Sequence, residues 1–383
     1  MSLSTRIAAE LRGDRVIWAI IVLLTIISIL AVYSATGALA QRSGSGALGG
    51  EFVKHFIILT GGLVVVYLCH LFHYNRYSRW APVLLLTAVG LLILTHWLGV
   101  DINNARRWLK VPFIGLTFQT SDFAKVALII YVARSIGSRQ EYIKDFKGAF
   151  LPIIIPVIVV CSLIAIDDLS SASMIFAICL IMMIIGRVAF QYILMLLLTG
   201  LTIFSLMVVV GRERPDLLPR AKTWETRIAS FFNRDMASED DTYQIDKAKI
   251  AIAEGGLIGV GPGNSTQRNY LPSPYADFIF AIIVEEYGAL GGMLLISIYL
   301  LLFFRIVRLV TRSPKTFGAM VALGLCLALV LQAYLNIAVC LDLVPVTGLT
   351  LPLVSMGGTS TLFTCISFGI ILSASKYIET TAE

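Results

Sequence analysis

Asp277 stands in Tyr275-Ala276-Asp277-Phe278-Ile279-Phe280-Ala281, where a long polar, Gly-rich segment gives way to an apolar run. A carboxylate where a membrane segment meets water is placed to act as a base on a substrate anchored in lipid. The position equally suits a plain acid at a helix start, since free N–H groups and the helix dipole welcome negative charge there. Glu285 and Glu286 follow by eight and nine positions; in one continuous helix Asp277 and Glu285 would be roughly aligned. Acids this deep in an apolar segment line a cavity or pair with cations. Asp122 and Lys125 in Phe118-Gln119-Thr120-Ser121-Asp122-Phe123-Ala124-Lys125 share a helix face. They read either as a mutual ion pair or as a lysine held by Asp122 toward a polar cavity. Arg106-Arg107-Trp108 suits an interfacial anchor or a bidentate grip on phosphate. Asp168 precedes an apolar run and suits a helix cap.

The elements that must position these residues are membrane helices. Apolar residues make up 57% of the chain and charged residues only 14%, against roughly a quarter charged in soluble domains. Runs long enough to span lie at about 16–37, 53–74, 78–99, 119–137, 149–166, 171–187, 189–210, 277–304, 318–340 and 351–374. The expected architecture is therefore an all-α integral membrane protein. It has ten transmembrane helices in a single polytopic domain over 1–383 and a large outer loop at 211–276 between helices 7 and 8. Basic residues concentrate in alternate short loops (Arg76 and Arg79; Arg134, Arg139, Lys144 and Lys147; Arg305, Arg308, Arg312 and Lys315). By the positive-inside rule both termini are cytoplasmic and 211–276 is extracytoplasmic. The polar head with Arg6, Arg12 and Arg15 leads into a full-length span without a small-residue cleavage site, which is not the pattern of a removable signal. Within the loop, 223–235 and 243–254 read as amphipathic interfacial helices. The run Gly255-Gly256-Leu257-Ile258-Gly259-Val260-Gly261-Pro262-Gly263-Asn264-Ser265 reads either as an anion-binding backbone or as a reentrant turn.

Several chemistries are excluded. The long segment before Asp277 carries no His or Cys, which removes zinc hydrolysis, Cys–His nucleophiles and Ser–His triads. The six cysteines lie in or beside apolar runs, without metal-ligand spacing. No Gly-Lys-Ser/Thr follows the Gly-rich run, so it is no P-loop. The net charge of +6 comes from loop cations beside spans and implies no nucleic-acid partner. An outer face with a lone carboxylate, cations and interfacial helices suits a lipid-linked phosphate substrate. A polyprenyl-diphosphate donor needs no soluble nucleotide-sugar domain; its leaving group needs cations and its acceptor hydroxyl a base.

Three ordered motifs carry a family resemblance. The first runs from Gly259-Val260-Gly261-Pro262-Gly263-Asn264-Ser265-Thr266-Gln267-Arg268-Asn269-Tyr270-Leu271-Pro272 through Asp277 to Glu285-Glu286-Tyr287-Gly288. The second is Leu343-Val344-Pro345-Val346-Thr347-Gly348-Leu349-Thr350-Leu351-Pro352 with Ser355-Met356-Gly357-Gly358-Thr359-Ser360, and the third is 118–125. Over nearly its whole length the chain resembles the SEDS family (shape, elongation, division and sporulation) of membrane peptidoglycan polymerases. The Gly-Asn-Ser of the loop is more like the division branch, FtsW, than the elongation branch, RodA. The resemblance implies ten membrane helices and polymerisation of lipid II, with Asp277 as the catalytic carboxylate, a general base. It implies substrate-binding roles for Arg107, Asp122, Lys125, Tyr243, Gln244, Asn264, Ser265 and Gln267, and supporting roles for Glu285, Glu286, Ser355, Gly357 and Gly358. It further implies a class B penicillin-binding protein transpeptidase and other divisome membrane proteins as partners, at the division septum of the cytoplasmic membrane. No cofactor motif or dedicated metal cage is evident; a divalent cation could share the diphosphate's charge. The chain departs from the family at Ile166-Asp167-Asp168-Leu169-Ser170-Ser171-Ala172, at Met356 and at Tyr275-Ala276. Ala333, Tyr334 and Ala338 are candidate partner contacts.

Overall fold

The computed structural model describes residues 13–42, 50–102, 105–110, 117–213, 239–271, 273–313 and 315–379. Its long helices are α1 (Arg15–Arg42), α2 (Gly50–Leu71), α3 (Tyr74–Leu98), α4 (Thr120–Ser138), α5 (Leu151–Ala165), α6 (Leu169–Ile185) and α7 (Phe190–Glu213). They continue with α8 (Glu239–Gly255), α9 (Ile279–Thr311), α10 (Thr316–Cys340) and α11 (Thr359–Glu379). An apolar chain in lipid must satisfy its own backbone, and helices do this locally.

Among the described residues, six helices are long and apolar enough to cross a membrane, and Leu169–Ile185 and Phe190–Gly200 are shorter apolar helices. The chain is a multi-pass membrane protein. Most of α10 is buried, and it packs against α4, α6, α9 and α11, so it forms the centre of the bundle. Ala333 is fully buried in the bundle, while Tyr334 is half-buried with its hydroxyl donating to the Ile296 carbonyl at 3.3 Å.

Four expectations change. The segment between α3 and α4 forms a small antiparallel sheet, β1 (Val100–Ile102), β2 (Ala105–Lys110) and β3 (Thr117–Gln119), with Trp108 opposite Gln119. The last helix begins at Thr359 rather than 351, because Pro352 and the left-handed Gly358 (φ 57°) keep the preceding chain extended and turning. The 243–254 helix runs from Glu239 to Gly255 and buries Ala248 and Ala251 completely as it packs on α9; this face is covered by protein. Asp277 lies two residues before α9, outside any helix. The expected helix at 223–235 lies outside the described residues.

Candidate active site

The Gly-rich run repairs a break in α9. Gly288 has φ 69° and ψ −174°, a conformation confined to glycine, and it interrupts the helix. The carbonyls of Glu285 and Glu286 thereby lose their usual N–H partners at 289 and 290. The N–H groups of Val260 and Gly261 replace them at 2.9 and 3.0 Å. The freed N–H groups of Ala289 and Leu290 donate to the carbonyls of Gly256 (2.8 Å) and Leu257 (3.3 Å). The backbones touch so closely that a Cβ on Gly259 would lie 2.2 Å from the Glu286 oxygen. These N–H groups are therefore committed to the broken helix, and the reentrant-turn reading holds over the anion-binding one.

Glu285 and Glu286 serve the same junction. Glu285 is fully buried, and its carboxylate accepts from the Ser265 hydroxyl (2.5 Å) and the N–H groups of Thr266 (2.7 Å) and Gln267 (3.2 Å). The Thr266 hydroxyl lies between it and Glu254, and the Gln267 amide also reaches Glu254. Glu286 accepts from the Ser34 hydroxyl on α1, and Arg268 donates to the Ser34 carbonyl at 2.8 Å. Both glutamates bind hydroxyls and amides rather than lining an open path. Ser265 and Gln267 are buried in this clamp, whereas Asn264 is exposed and donates to the Val260 carbonyl at 3.1 Å. Tyr243 on α8 is exposed, with Lys247 over its ring and that of Tyr270; Gln244 is half-buried beside it.

The cations sit with acids. Arg107 on β2 donates to the Asp167 carbonyl (3.1 Å) and the Asp168 carboxylate (2.9 Å), leaving its second terminal nitrogen without a partner among the described residues. Asp168 also caps α6 through the Ser171 N–H (3.0 Å) and hydroxyl (2.7 Å), so its role extends beyond capping. A cavity of about 20 Å³ beside Arg107, Thr120 and Asp168 holds roughly one water. Lys125 bonds Asp122 (3.2 Å) and the Gln332 side-chain oxygen (2.8 Å). The ion pair is thus real, and Gln332 is a third member that periodicity did not reveal.

Asp277 is different. Its carboxylate makes no hydrogen bond or ion pair among the described residues, while its backbone is held from three sides. The Met356 N–H donates to the Tyr275 carbonyl (2.9 Å), the Ser355 hydroxyl to Ala276 (2.6 Å) and the Asn336 amide to Asp277 itself (2.7 Å). Ser355 is fixed in turn by the Leu351 N–H at 2.8 Å. Gly357 and Gly358 form the turn that delivers this segment to α11. The Asp277 side chain keeps some exposure, yet dense surroundings push its carboxyl above the ordinary value, and the Arg107 charge pulls it back in part. Burial is the larger of the two effects. Among the described residues no three His, Cys, Asp or Glu side chains gather into a metal site.

A free carboxylate on a pinned backbone, with partly paired cations on the neighbouring elements, is what the three motifs build. The model of the FtsW/RodA/SpoVE group, described as "Cell cycle protein", matches residues 14–380. The chain belongs to this family. It is 30% identical to stage V sporulation protein E of Bacillus subtilis, over 95% of this chain and 97% of that one. It is 31% identical to the probable peptidoglycan glycosyltransferase FtsW of Geobacter sp. strain M18, over 94% and 96% of the two chains. Among solved structures, the fold is shared with a chain described under "Structural coordination of polymerization and crosslinking by a peptidoglycan synthase complex". That match has a TM-score of 0.71, 23% identity, and covers 94% of this chain and 96% of the other. Thermus thermophilus rod shape-determining protein RodA matches with a TM-score of 0.67 at 22% identity, over 94% and 96%.

Proposed function

We propose that this family member is a peptidoglycan glycosyltransferase that polymerises lipid II at the outer face of the cytoplasmic membrane during division, with Asp277 as general base. The carrying observation is the Asp277 carboxylate: unpaired among the described residues, on a main chain whose carbonyls at 275, 276 and 277 each accept a hydrogen bond. In this reading Asp277 takes the proton from the acceptor's sugar hydroxyl, whose oxygen attacks the anomeric carbon of the lipid-linked strand. The bond to the diphosphate breaks as the glycosidic bond forms. Arg107, through the terminal nitrogen that has no partner among the described residues, and Lys125, on its Asp122–Gln332 seat, meet the charge of the leaving diphosphate. Burial makes Asp277 a better base than an exposed aspartate. Fixed geometry supplies the rest of the effect. Tyr243, Gln244 and the exposed Asn264 border the outer approach, and a divalent cation would enter with the diphosphate.

The names of the curated relatives support the activity and favour the division branch over an elongation polymerase. The structural neighbour from a complex that coordinates polymerization and crosslinking supports a crosslinking partner, proposed here as a class B penicillin-binding protein alongside other divisome proteins at the septum. A lipid II flippase would line its path with Asp122, Lys125, Glu285 and Glu286; both glutamates are bound at the helix break, and Lys125 is bonded to Asp122 and Gln332. A non-catalytic scaffold would leave Asp277 dispensable. The test is polymerisation of purified lipid II by the protein with its cognate transpeptidase, wild type against Asp277→Ala. Strands from wild type alone support the enzyme; no strands from either, with partner binding intact, reject it.

A further inference from the structure

Two amides one helical turn apart on α10 touch both halves of the site. Gln332 accepts from Lys125 and donates to the Thr350 carbonyl at 2.9 Å. Asn336 directs one amide N–H to the Leu349 carbonyl and the other to the Asp277 carbonyl, each at 2.7 Å. One further turn on, the Cys340 thiol also faces the Asp277 carbonyl, at 3.8 Å. Turning the Asn336 amide over would set its oxygen against two carbonyls, so its orientation follows from its partners. That oxygen is itself buried without a partner, a cost the fold carries in order to place both donors. Neither residue stood out in the sequence, where each is a single polar residue in an apolar run.

We infer that Asn336, with Gln332 as its companion, is a positioning residue that ties the Asp277 backbone and the Lys125 seat to one segment, 349–351, and so fixes the acid relative to the cation. This rests on the function proposed above for Asp277 and Lys125. The tie runs through a largely buried helix at the centre of the bundle, so the spacing is set by core packing rather than by the outer loop. Asn336 touches neither substrate nor reacting atoms; it acts through the Asp277 main chain.

The test uses the full chain in nanodiscs, as wild type, Asn336→Ala and Asn336→Ser, the last keeping one donor in case the alanine variant fails to fold. Amide hydrogen exchange is read first, because it needs no activity. Exchange at 275–279 and 349–351 should rise at least tenfold in Asn336→Ala and less in Asn336→Ser, with α2 and α3 unchanged. Unchanged exchange at both segments overturns the tie. In the polymerisation assay kcat should fall about tenfold or more with KM for lipid II near wild type. The acidic limb of the rate profile should move to lower pH as Asp277 loosens toward solvent. Faster exchange with unchanged kcat and unchanged limb overturns the positioning role. An inactive wild type rejects the proposed function, while the exchange result still decides the tie.

Discussion

Asp277 and the Glu285–Glu286 pair lie within ten residues of each other, carry the same charge and have opposite lives. The glutamates are buried and bound to hydroxyls and amides from the loop and α1. Asp277 has its backbone held and its carboxylate left open. Acids in and beside an apolar helix are therefore sorted by whether their lone pairs are already used. A saturated carboxylate holds structure together; an unsaturated one on a rigid backbone remains available for chemistry.

The sharpest way to break this contrast is to exchange the two kinds of damage. Asp277→Asn should lower lipid II polymerisation by about 10²–10⁴-fold, the usual scale of a general base, while leaving the melting temperature near wild type. A normal rate, or a large loss of stability, would put Asp277 in the same class as its neighbours. Glu285→Ala should do the reverse, costing about 3 kcal/mol by leaving the Ser265 hydroxyl and two N–H groups unpaired. Thermal unfolding in detergent reads it directly, and unchanged stability would refute the clamp.

The break itself is open to a smaller perturbation. Gly288→Ala places a side chain in backbone space reserved for glycine, with its Cβ 2.2 Å from the Leu257 oxygen. A loss of about 1–3 kcal/mol is expected from the backbone conformation alone. Faster hydrogen exchange at 255–261 would show that loop and helix part together. The smallest effect concerns Arg107. Its charge lowers an Asp277 carboxyl that burial has raised, so Arg107→Gln should let that carboxyl rise further. Since the base works only when ionised, the acidic limb of the residual rate should move to higher pH, by less than about one unit. A shift to lower pH would mean that Arg107 does not act on Asp277 electrostatically.

Much of this was open to a reader of the sequence. Composition and run length demand membrane helices, because lipid offers the backbone no other partner. The Asp122–Lys125 spacing implied their pairing, and the cap at Asp168 followed from its place before an apolar run. The abundance of glycine in 255–263 signalled close backbone approach, although not what was approached. Residue type alone did not show which of Asp277 and Glu285 is bound and which is open, since both are acids of one apolar run. Asn336 and Gln332 gave no signal either: a lone polar residue in an apolar segment has no periodic signature, whereas Ser355 was marked by its motif.

The sequence by itself determined the class of the protein and the family, since hydrophobic length and ordered motifs are local properties of the chain. Only the tertiary structure decided which charges are used and which are open. That depends on hydrogen bonds between residues far apart in sequence: Val260 with Glu285, Ser34 with Glu286, Asn336 with Asp277. Such bonds form only when distant backbones are packed to within about 3 Å, a distance that no spacing along the chain encodes.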